Sequence, residues 1–173
     1  MSTAADPESV LHDWFVEERE LQRHADRRGR RHAFEHLDPR RTALVVIDLV
    51  PFFFEASPYC RGIVPQVNAL AGELRAAGGT VAWVVPGYST LPDLLEERGV
   101  DTVVMTGTVT NVCVEASVRD AATLGLRVIL VADACAAMRD QDHNATLHVV
   151  HRTYGDVRST DEVLGLIRAG RTR

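Results

Sequence analysis

From residue 41 onward, short apolar runs alternate with segments whose apolar side chains recur every three or four positions. The first run, Ala43-Leu44-Val45-Val46-Ile47, is unbroken, rich in β-branched residues, and ends at Asp48. A run with no polar alternation predicts a strand covered on both faces, as in a parallel sheet. Thr80 to Val85, Val103-Val104-Met105 and Val128 to Val131 read the same way, and Asp156-Val157 suggests a short fifth strand. Helices are predicted between them. One spans 63–77 and is closed by Gly78-Gly79; another opens at Ser89-Thr90-Leu91-Pro92 and stops at Gly99. The next runs from Asn111 to Leu124 and ends at Gly125; a fourth covers 142–153; a last one, capped by Thr160, reaches Ala169.

Alternating strands and helices specify βαβ units. The predicted fold is α/β: a Rossmann-like three-layer α/β/α arrangement around a mainly parallel sheet of about five to six strands. In such sheets chemistry sits outside the carboxyl ends of the strands. Asp48, Thr106-Gly107 and Asp133 all follow strand ends. Upstream, residues 6–29 read as a helix, with Asp6 as cap, Pro7 at the first position and Gly29 as the stop. Val10, Leu11, Trp14, Phe15 and Leu21 recur along it at helical spacing. Residues 1–40 are therefore an N-terminal helical extension, too short for a core of its own. Residues 41–173 are the folded domain.

Composition narrows the function. The net charge of −5 argues against nonspecific nucleic-acid binding. The cluster Arg27, Arg28, Arg30 and Arg31 reads as an exposed helix end. No apolar run reaches the roughly 18 residues of a membrane span, and MSTAADPESV lacks a signal-peptide pattern. A cytoplasmic protein without membrane contact is expected. Cys60, Cys113 and Cys135 are too few for a disulfide framework, and no zinc spacing occurs. His143, His148 and His151 share one predicted helix, and only His148 and His151 can share a face. Neither a metal nor a cofactor is expected. Asp140, Asp142 and His143 read as a helix cap. All 19 basic residues are arginine, so no lysine is available to any mechanism.

Two residues stand out chemically. Cys113 should lie in the first turn of a helix, where free amides and the helix dipole favour a thiolate and can hold an oxyanion. By position alone it is equally a buried structural cysteine. Asp48 ends an apolar strand, so its carboxylate must be paired, hydrated or functional. It caps the next segment or acts as a general base. Asp133 reads as a loop brace. Phe52, Phe53 and Phe54 line a pocket or form a core or oligomer contact.

Taken together, Thr42 to Asp48, Val103 to Val114, Arg119-Asp120-Ala121-Ala122, Gly125 and Val131-Ala132-Asp133-Ala134 resemble the isochorismatase-like, or cysteine hydrolase, family. The resemblance covers residues 41–167. It implies a parallel-sheet α/β/α fold and an Asp, Lys and Cys triad, with Cys113 as nucleophile and Asp48 as base. It also implies a cis peptide at Thr108–Val109 and an oxyanion hole formed by the Val109 and Cys113 amides. Phe53, Thr110 and Asn111 become candidates for the substrate pocket. The partners expected are a small-molecule substrate and further copies of the chain, as a dimer or tetramer, with Trp14, Phe15 and Leu21 as contact candidates.

The chain departs from the family pattern in two places. The family's lysine comes from a segment between the second strand and the next helix. Here Pro86-Gly87-Tyr88-Ser89-Thr90 joins the two almost directly. Either that segment is lost or a loop is missing from the sequence. Val50 stands where many members have Gln. Three functions follow. The leading one is hydrolysis of a small amide or related acyl compound through a Cys113 thioester. The second is vinyl-ether hydrolysis of the isochorismate type, with Asp48 as acid. The third is a catalytically impaired binding or oligomeric scaffold.

Overall fold

The computed structural model describes residues 9–85 and 90–172. The predicted helix start at Asp6-Pro7 and the linker Pro86 to Ser89 lie outside them. Five parallel strands form one sheet: β1 (Thr42–Ile47), β2 (Thr80–Val84), β3 (Thr102–Thr108), β4 (Arg127–Ala136) and β5 (Asp156–Arg158), in the order β2-β1-β3-β4-β5. Side chains alternate across the sheet as the pleat requires. Ala43, Val45 and Ile47 enter one core layer with Val118, Ala121 and Leu147, while Leu44 and Val46 enter the other with Leu70, Leu74 and Ile167. Helices α5 (Leu91–Glu97), α6 (Glu115–Thr123) and α7 (Asp140–Val149) thus cover one face. Helices α4 (Val64–Ala76) and α8 (Thr160–Arg171) cover the other.

The strand order reverses between β1 and β3. From β1 the chain moves outward to β2, then returns to pair β3 on the opposite side of β1. The loops leaving β1 and β3 therefore diverge and open a crevice, the usual ligand site in sheets of this kind. Asp48 leaves β1, and Cys113 follows β3.

Four expectations need correction. First, residues 9–17 are not helical; α1 is only Glu18–Arg28, closed by Gly29 at φ 69°. The preceding residues form an extended strap held by distant partners. The Val10 amide donates to the Pro58 carbonyl, and a Cβ on Gly62 would lie 2.0 Å from the Val10 oxygen. Trp14 and Val16 pack on the main core and Leu21 is buried, which leaves Phe15 as the exposed member of the proposed contact set. Second, β2 is a half-buried edge strand, because β1 is its single neighbour; Trp83 is 51% exposed. Third, the cap of α8 is Ser159, in a reciprocal capping box with Glu162. The Thr160 amide and hydroxyl instead donate to Asp133, which braces the loop as expected. Fourth, Asp140 and His143 do not cap α7, whose first turn carries no side-chain cap; they bind the strap.

No described helix is long and apolar enough to cross a membrane. Among the described residues, no group of histidines, cysteines and carboxylates has metal-binding geometry.

Candidate active site

Asp48 is built by the end of β1. Its φ of 48° is left-handed, a conformation that Asp tolerates better than most residues. Three hydrogen bonds hold that backbone. The Asp48 amide donates to the Val84 carbonyl at 2.8 Å, and the Asp48 carbonyl accepts from the Val50 amide at 2.9 Å and the Thr108 hydroxyl at 2.7 Å. The residue is thereby pinned to both neighbouring strands. It is buried.

Gly107 brings the β3 end alongside. Its φ is 115°, and a Cβ there would fall 2.0 Å from the Ile47 carbonyl oxygen. Only glycine accepts both the conformation and the approach. The pairing of β3 with β4 slips between Met105 and Gly107, so the strand is irregular where the site begins. The Thr108–Val109 peptide is cis. A wide π-type turn, Thr110–Val114, then leads into α6. Cys113 sits in this turn rather than in a regular first helical turn.

The Asp48 carboxylate and the amides of Val109 and Cys113 all act on the Cys113 thiol. The Asp48 hydrogen bond is the main influence holding the thiol pKa above its usual value, followed by burial and the Asp48 charge. The two amides pull the other way. Cys113 is partly exposed, whereas Cys60 and Cys135 are buried. Burial also raises the Cys60 and Cys135 pKa values. The structure thus brings Asp48, Val109 and Cys113 together.

The other candidates are placed differently. Thr110 is buried, and its hydroxyl lies 3.0 Å from His143 Nδ1. Asn111 is exposed. Phe53 is half-buried beside Leu49, Cys60 and Ile63. Sequence reasoning missed the Thr108 hydroxyl that ties β3 to Asp48, and the contact between His143 and Thr110. A Thr at the end of a strand carries no distinguishing signal. A groove of about 690 Å³ at the opposite sheet edge, lined by Arg40, Arg127 and Arg171 among others, includes none of these residues.

Fold and site together define a parallel α/β/α protein with a thiol–carboxylate pair at its topological switch point. Residues 87–162 match the isochorismatase domain. An uncharacterized isochorismatase family protein of Bacillus subtilis is 38% identical over 74 residues, covering 43% of this chain and 39% of the relative. Maleamate amidohydrolase of Pseudomonas putida is 30% identical over 131 residues, covering 74% of this chain and 57% of the relative. The matches thus span well under two thirds of these relatives' own lengths. A cysteine hydrolase structure from Pseudomonas syringae pv. phaseolicola superposes with a TM-score of 0.73 at 22% identity, over 80% of this chain and 97% of that one. Over these stretches the chain is similar to isochorismatase-like proteins.

Proposed function

We propose that the chain hydrolyses a small amide through a Cys113 thioester. The observation that carries this reading is the placement of Asp48 at the end of β1 and of Cys113 in the turn after the neighbouring β3, where Asp48 and two amides act on the thiol. The likeness to a maleamate amidohydrolase supports the choice of an amide.

Asp48 accepts the thiol proton as the sulfur attacks the acyl carbon. The carbonyl oxygen gains negative charge beside the Val109 and Cys113 amides, which stabilise it. Asp48 returns the proton to the nitrogen, the C–N bond breaks, and the amine leaves. Water then attacks the thioester. Asp48 takes a proton from the water and gives it to the departing sulfur, releasing the acid and restoring the thiol.

The absence of lysine shapes this mechanism. In this reading no lysine assists, and the proton moves from the thiol to Asp48 as the C–S bond forms. The vinyl-ether alternative leaves the thiol without a role. A panel of small amides, maleamate first, tests the proposal by ammonia release. Turnover is expected with the wild type and not with Cys113→Ala, and hydroxylamine should trap the acyl group. If no amide is turned over above the Cys113→Ala background and iodoacetamide leaves Cys113 unmodified, the scaffold reading replaces this one.

A further inference from the structure

The extended strap delivers His12 into the body of the protein, and the ring is almost fully buried. It lies between two other rings. Tyr59, on helix α3 (Pro58–Gly62), stacks on one side with centroids 3.9 Å apart; His143, on α7, stacks on the other at 4.2 Å. Both edges of the His12 ring are engaged. Nδ1 meets Asp140 at 2.6 Å, and Nε2 accepts the Ala137 amide at 2.9 Å. That pattern fixes the tautomer, with the proton on Nδ1. Tyr59 also hydrogen-bonds Asp140.

The stack joins the two halves of the site. Helix α3 follows Asp48 through the short helix α2 (Pro51–Ala56). His143 holds the hydroxyl of Thr110, the first residue of the turn that carries Cys113. A ring from outside the sheet domain therefore bridges the segment after Asp48 and the loop before Cys113.

We propose that His12 is a positioning residue for the Asp48–Cys113 pair, acting through the Tyr59–His12–His143 stack and the Thr110 hydroxyl. The strap is then a working part of the active site. The charged and titratable groups around the ring are Asp140, Tyr59 and His143. The turnover arm of the test rests on the hydrolase reading; the labelling arm does not.

The test is the pH dependence of Cys113 alkylation by iodoacetamide, read by intact mass, alongside turnover of the best amide. In His12→Ala the Asp48 contact loosens. The alkylation midpoint is expected to move down toward that of an ordinary thiol, while kcat falls by about tenfold or more and KM changes by less than about threefold. Phe15→Ala, on the same strap with its ring in solvent, should leave the midpoint in place. Should His12→Ala not fold, Thr110→Val cuts the last link without opening a cavity and should shift the midpoint likewise, with Thr110→Ser restoring it. A folded His12→Ala or Thr110→Val protein with a wild-type alkylation profile overturns the proposal. A shifted midpoint without turnover of any amide upholds the positioning role and removes only the hydrolase reading.

Discussion

The Thr108 hydroxyl donates to the Asp48 carbonyl at 2.7 Å, so the residue before the cis peptide is tied to the residue that faces the thiol. This bond crosses from β3 to the end of β1 and is buried. Thr108→Val keeps the shape and removes the bond, while the Val50 amide still serves that carbonyl. The expected loss is about 1 kcal/mol of stability by urea titration, with a clear fall in Cys113-dependent turnover.

Gly107→Ala should be far more damaging. The new methyl meets backbone, and the Ile47 carbonyl has no room to retreat within the sheet. A cost of about 3 kcal/mol or more is expected from strain and overlap together. Thermal melting checks this. A variant that melts within a few degrees of wild type would mean that β1 and β3 separate more easily than their packing implies.

Asp48→Asn tests the electrostatics. An unfolded thiol ionises near about 8.5, and the folded Cys113 ionises higher, chiefly through its hydrogen bond to Asp48. Between the two values the unfolded chain sheds its proton first, so stability falls as pH rises through that window. Asp48→Asn removes the main cause. The alkaline loss of stability should shrink and the alkylation midpoint should fall, even as turnover collapses. Unchanged alkaline behaviour would show that Asp48 does not hold the thiol proton.

Mild alkylation of the native protein should add a single label, on Cys113. Cys60 and Cys135 are fully enclosed and their thiols are held protonated by burial. Peptide mapping checks the site; equal labelling of all three would contradict the packing.

His151 contributes to acid stability. Both ring nitrogens are buried without partners, and the ring stacks on His24 at 4.5 Å. Burial, reinforced by His24, pushes its pKa down to about 4, and His143 falls to about 3 through burial first. Unfolded histidines take protons near about 6.5. As pH drops below that value the unfolded state binds more protons, so stability is lost toward the folded values. His151→Phe keeps the stack and removes the unpaired atoms. It should gain about 1 kcal/mol at acidic pH, by urea titration at matched pH. A loss there would mean that an ordered water satisfies the imidazole.

The Asp48 and Cys113 positions were readable because each stands beside an apolar run. Asp48 closes β1, and Cys113 follows the turn after β3, so a parallel sheet places both at one edge. Trp83 was harder. An apolar run such as that of β2 does not state how many neighbours it has, and β2 has one. The strap was unreadable for another reason. Val10, Leu11 and Trp14 carry helical spacing, but His12 finds Asp140 across 128 residues, and that long-range contact overrides local periodicity. His143 was hidden likewise, since its partners lie on other elements.

The edge position of β2 reaches the chemistry. A strand with one neighbour is among the first parts of a sheet to exchange its amide hydrogens. The Val84 carbonyl at its end anchors the Asp48 amide. Each time that margin breathes open, the carboxylate-bearing turn loses one of its three holds. Deuterium uptake along 80–84 and the reactivity of the thiol should then rise together under mild denaturant, well before the sheet as a whole gives way.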